Sequence, residues 1–218
     1  MNRFFNLDNP FFRFMERIAD FVIVNFLTVL CSLPILTIGA ATAACHTVMQ
    51  NMLMDNEQPV LRSFFRALIG NFKQATILWL ITFFSLVFLT GDYLLIYVYS
   101  AGKSALVLYC LLGVVSVMIL GTIAFAFALI ARYENSLKNH LKNAMVLAIA
   151  HLPRTIIMLV VYAIPVLFAI VNLRIFLNTL SVWVTFGISL IVFVETFLVR
   201  PVFQKLEPTP VNSEDTVF

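Results

Sequence analysis

Residues 25–46 read NFLTVLCSLPILTIGAATAACH. The stretch is apolar enough for a bilayer, yet Pro34, Gly39, Thr37 and Thr42 interrupt it and a run of alanines closes it. A plain anchor needs no such break. Proline lacks the N–H of a continuing helix, so one segment ends near Pro34. The backbone then turns through Thr37-Ile38-Gly39, and a helix of small residues starts back. Thr37 and Thr42 can recapture carbonyls freed by the turn. Gly39 and Ala43 are four apart, as are Ala40 and Ala44, the spacing that lets two membrane helices approach closely.

The chain around this break has 218 residues, 61% hydrophobic and 11% charged, with mean hydropathy +0.98. A soluble domain has about a quarter of its residues charged. So few charges, with recurring apolar runs of about 20 residues, indicate a polytopic membrane protein. Unalternating runs exclude a barrel, so the fold expected is all-α. It is a transmembrane helix bundle of five to six membrane segments, with a broken or hairpin first pair and interfacial amphipathic helices. Residues 1–200 form one membrane domain and 201–218 a flexible cytoplasmic tail. The net charge of +3 suits a membrane surface and not nucleic acid.

Asn9 before Pro10 reads as a helix start. Arg13, Glu16, Arg17 and Asp20 then oppose Phe11, Phe12, Phe14, Met15 and Ile18, the pattern of an interfacial helix. Two further interfacial stretches are expected at 60–73 and 132–154, the latter with Glu134 and Lys138 paired at i,i+4. Spans are expected near 18–36, 74–91, 105–131, 155–173 and 176–198, with Pro165 kinking its helix. Gly113 and Gly121 are expected at close helix contacts. A weak repeat relates 60–131 to 138–199, aligning Asn71-Phe72 with His151-Leu152.

Positive charge sets the threading. If 18–54 enters and returns, twelve of the fourteen lysines and arginines lie on one face, leaving Lys103 and Arg174 on the other. The positive-inside rule favours that arrangement, with both termini cytoplasmic. A full crossing of 38–54 and a re-entrant piece give the same pattern.

Candidate functional or packing residues are Asn25, Pro34, Thr37, Gly39, Thr42 and His46. Asn25 reads first as an interhelical hydrogen-bonding residue. Glu195 reads as paired or snorkelling, with a buried coupling carboxylate as the alternative, and Asp92 as an interface residue. Cys31, Cys45 and Cys110 read as buried free thiols. His140 and His151 lack partners at metal-ligand spacing, and HExxH and GxSxG signatures are absent. Cys45 and His46 are adjacent and diverge on a helix, which disfavours a dyad. No catalytic residue, cofactor or metal is expected.

Several segments resemble the YesL-like family of bacterial integral membrane proteins. They are Asn9-Pro10-Phe11, Asn25, the run Ser32-Leu33-Pro34-Ile35-Leu36-Thr37-Ile38-Gly39-Ala40-Ala41-Thr42-Ala43-Ala44, Phe64-Phe65-Arg66-Ala67 and Asn71-Phe72-Lys73-Gln74-Ala75. The likeness is good over 9–80 and looser beyond. It implies a multi-pass bacterial cell-membrane protein without assigned activity, whose genes tend to lie beside those for carbohydrate uptake. The expectation is a non-enzymatic protein that is accessory to or regulates carbohydrate uptake, with lipid and a carbohydrate transporter or sensor subunit as partners. A small-molecule, sugar-related transporter or channel is the alternative.

Overall fold

The computed structural model describes residues 10–54, 58–100 and 102–206, as backbone only at 10–14, 103 and 175. Helix α1 (Pro10–Cys31) leads through a 3-10 turn (Ile35–Thr37) into α2 (Ile38–Leu53). Then follow α3 (Val60–Tyr99), α4 (Gly102–Arg132), α5 (Leu137–Ala150), α6 (Leu152–Val171) and a short α7 (Leu173–Asn178). The last rod combines α8 (Leu180–Val182), a π-helical segment (Trp183–Gly187) and α9 (Ile188–Leu206). The described residues contain no strand. Four helices, Val60–Tyr99, Ser104–Arg132, Leu152–Val171 and Leu180–Leu206, are long and apolar enough to cross a membrane. The protein is a membrane protein with a helical fold.

The expected break is present. Ser32 to Thr37 reverse the chain, and Thr37 Oγ1 donates to the Cys31 and Pro34 carbonyls, the latter at 2.7 Å. The single Thr37 hydroxyl thus engages carbonyls on both sides of the turn. Thr42 does not help, because its hydroxyl donates to Ile38 within its own helix at 2.8 Å.

Helix α2 occupies the centre. Ten of its sixteen residues are buried, from Gly39 to Gln50. Its small side chains serve two cores at once. Ala40 and Ala43 join Ala75, Leu78, residues 123–130 of α4 and Phe203. Ala44, Cys45, Val48 and Met49 join Val24, Leu27, Phe64 and Val192. At Gly39 the approach to α3 is close: a Cβ there would collide with the Ala75 carbonyl oxygen and lie 2.6 Å from Trp79 Cβ. At the other end of α2, Asn51 Nδ2 donates to Ser63 Oγ at 3.0 Å. Helix α2 therefore lies antiparallel along 63–79, the first half of α3. At 1.5 Å per residue its 16 residues measure about 24 Å, short of the ~30 Å hydrocarbon layer.

Several expectations need correction. The stretches 60–73 and 74–91 lie in one 40-residue helix, Val60–Tyr99, which contains no proline. Lys73 breaks the hydropathy but not the backbone. Glu134 lies in the non-helical segment 133–136, so its i,i+4 relation to Lys138 does not exist. Ser136 starts α5 instead, accepting from Asn139 N at 3.4 Å. The aligned units of the weak repeat differ: α3 is continuous at Asn71, whereas α5 ends at Ala150, just before His151. Cys31 is half-buried and Cys110 exposed, so only Cys45 is a buried thiol. The chain stays helical through Pro201 to Leu206 rather than loosening there. The cap at Asn9 and the tail beyond 206 lie outside the described residues, as do the side chains of Phe11, Phe12, Arg13 and Phe14.

The glycines divide. Gly121 meets Thr155 Cγ2 of α6, as expected of a close contact, whereas a Cβ at Gly113 would meet nothing within 4 Å. Gly39→Ala should therefore destabilise the protein by about 1–3 kcal/mol, as overpacking does. Gly113→Ala should be neutral or stabilising by up to about 1 kcal/mol. Thermal unfolding of both variants in detergent checks the pair; equal melting temperatures would contradict the close approach.

Candidate functional site

Helix α2 carries His46 to the bundle interior, where it is fully buried. Its Nε2 lies 3.4 Å from Glu195 Oε2 of α9, an approach without hydrogen-bond alignment. The same Oε2 accepts a hydrogen bond from the Tyr162 hydroxyl of α6. Glu195 is 1% exposed. The carboxylate is thus paired and buried, and the snorkelling alternative is excluded. Three separate helices meet at one carboxyl group. His46 Nδ1, Glu195 Oε1 and the nearby Ser189 Oγ have no hydrogen-bond partner, which is rare for buried polar atoms.

Why these side chains arrive here follows from the helices. Glu195 shares its face of α9 with Val192 and Val199, both buried. His46 lies among Ala43, Cys45, Met49 and Gln50, also buried. The small residues of α2 bring α9 near enough for the histidine to reach the glutamate.

A second polar junction holds the same region. Asn25 Nδ2 of α1 donates to the carbonyls of Val184 and, at 3.3 Å, Trp183. Its Oδ1 accepts from Ser189 N at 2.9 Å. All three groups belong to the π-helical segment or its exit, where the regular i→i−4 ladder is displaced. Gly187 completes the segment, because a Cβ there would lie 2.5 Å from the Trp183 ring. Asn25 thus satisfies backbone groups that the π turn leaves over, the interhelical role expected of it.

Other buried amides and hydroxyls are also engaged with backbone. Gln50 Nε2 donates to Ala128 O at 3.0 Å, and Thr47 Oγ1 to Ala131 O at 3.1 Å. Thr155 Oγ1 ties the start of α6 to Ala148 O of α5 at 2.9 Å. A cavity of about 10 Å3 lies between Gln50, Arg132, Thr196 and Val199. No group of three or more His, Cys, Asp or Glu side chains able to hold a metal occurs among the described residues.

The six candidate residues do not form one site. Pro34 and Thr37 build the turn, Gly39 meets α3, and Thr42 bonds within α2. Asn25 serves the π segment. Only His46 belongs to the buried titratable cluster. Tyr162 is missing from the sequence-based candidates, and the sequence offers no signal for it beyond a tyrosine midway along an apolar helix.

A family model described as "Protein of unknown function, DUF624" matches residues 21–93. The match covers the apolar part of α1, the turn, α2 and most of α3, which is the hairpin with its closest packing partner. No curated protein and no solved structure matches the chain.

Replacing Asn25 by leucine leaves two carbonyls and one N–H of the π segment without this partner. Stability should fall by about 1–3 kcal/mol for each buried group left unsatisfied, a loss read from thermal unfolding. Thr42→Val, which removes only a bond within one helix, should cost far less; an equal loss would contradict the role given to Asn25.

Proposed function

We propose that this chain is a non-enzymatic bacterial cell-membrane protein, accessory to or regulating carbohydrate uptake. The observation that carries the accessory reading is how little space remains beside the α2–α9 contact. Where α2, α4 and α9 meet, the cavity of about 10 Å3 has room for no more than about one water, far from the ~300 Å3 of a small-molecule pocket. Gln50, Thr47 and Thr155 are engaged with neighbouring backbone, and the outer halves of α3 and α4 present Phe84, Phe88, Leu106 and Leu111 outward. Such a body offers surfaces to lipid and to other membrane proteins. The link to carbohydrate comes from the YesL-like resemblance alone. The transporter reading draws on a different observation, the buried His46–Glu195 pair beside an irregular segment.

The threading we propose has both termini in the cytoplasm and four crossings, with α1 and α2 as a re-entrant hairpin that supplies the remaining segments. Asp20 to Cys31 advance only about 16 Å in helical form. Leu33, Ile35 and Leu36 at the tip are exposed and apolar, as a tip lying in hydrocarbon requires. Interfacial contact for the start of α3 is supported by the exposed stripe Leu61, Phe65, Ile69 and Phe72 flanked by Arg62, Arg66 and Lys73.

Two experiments test these readings. Mild-detergent purification from native membranes should recover a carbohydrate transporter or sensor subunit; recovery of the protein alone, with sugar uptake by proteoliposomes, would favour the transporter. For threading, single cysteines at Leu33 or Leu36 in a cysteine-free background should resist a membrane-impermeant maleimide from outside. Cysteine at Lys103 should react. Labelling of the tip from outside would mean that α2 crosses fully.

A further inference from the structure

We propose that His46, Glu195 and Tyr162 form an intramembrane proton-binding site that ties α2, α6 and α9 together. This reading goes beyond the accessory function and stands independently of which partner or cargo the protein serves. Its basis is geometric. Glu195 has one donor, the Tyr162 hydroxyl, on Oε2, while Oε1 has none. His46 stands 3.4 Å from Oε2 with both ring nitrogens lacking a hydrogen-bond partner. An unpaired ionised group in an apolar interior costs several kcal/mol. One proton held between Glu195 and His46 removes the net charge, whether as a neutral acid beside neutral imidazole or as carboxylate beside imidazolium. Release of that proton to water leaves one net negative charge on the pair.

The surroundings limit what else takes part. Helix α2 adds the buried thiol of Cys45, α6 adds Tyr162, and α1 brings the uncharged Asn25 and Thr28. Arg200 of α9 and Arg132 of α4 border the small cavity at Gln50 and Val199. Gln50 follows His46 by four residues, and Val199 follows Glu195 by four. The cavity therefore sits one helical turn beyond the pair on the same face of both helices. Its volume is near the ~10–15 Å3 that one water needs, which leaves room for one between the pair and the arginine-bearing end. Protons pass between buffer and the pair from that end, and no other reactant is required.

The test uses the full chain in lipid nanodiscs, with infrared difference spectra recorded between mildly acidic and mildly alkaline buffer. Wild type should give a buried carboxyl or imidazole signal that is lost in Glu195→Gln, which preserves size and an acceptor for Tyr162. His46→Gln should lose the imidazole component or displace the titration midpoint. Tyr162→Phe should displace that midpoint and leave the amplitude. Coincident spectra for wild type and Glu195→Gln would overturn the proposal. If Glu195→Gln does not fold, Tyr162→Phe decides: a moved midpoint supports the site and an unmoved one overturns it.

Discussion

The close contact of α2 with α3 at Gly39 is the constraint on which the bundle depends. Between membrane helices there is no hydrophobic drive of the kind water supplies, so tight packing and interhelical hydrogen bonds hold them together. A helix rich in glycine and alanine meets that condition because its backbone can be approached from several sides. Here α2 is approached from two. One face enters the core built with α4, α5 and α9, and the other enters the core built with α1 and Phe64. Larger side chains would separate the cores and withdraw His46 from Glu195.

Polar groups follow the same economy of contact. Lipid offers no hydrogen bonds, so each irregular backbone position needs a partner from the protein. The turn at Pro34 finds one in Thr37, and the π segment finds one in Asn25. These two residues stabilise opposite kinds of irregularity, one a reversal and one an extra residue in a helical turn. The cluster around Glu195 differs, because part of its hydrogen-bonding capacity stays unused. That difference separates it from residues whose bonds are complete.

Much of the fold was legible from local signals. Pro34, the threonines and the alanine run announce a hairpin, and the length of the apolar runs announces helices. Asn25 was legible as an interhelical donor, but not its partners, since the π turn leaves no mark in the sequence. The continuity of α3 was hidden because Lys73 imitates a boundary in hydropathy, and the helix through Pro201 because proline commonly marks an end. The His46–Glu195–Tyr162 meeting was the least legible feature. It joins residues far apart in the chain, and no periodicity on α2, α6 or α9 encodes which faces will meet.

Helix α2 covers only part of α3. A section through residues 63–79 of α3 also cuts α2, whereas one through 80–99 passes beyond it. Helix α2 therefore adds its packing surface beside the first half of α3 alone. The same helix carries His46, so the segment that covers half of α3 is also the one that meets Glu195.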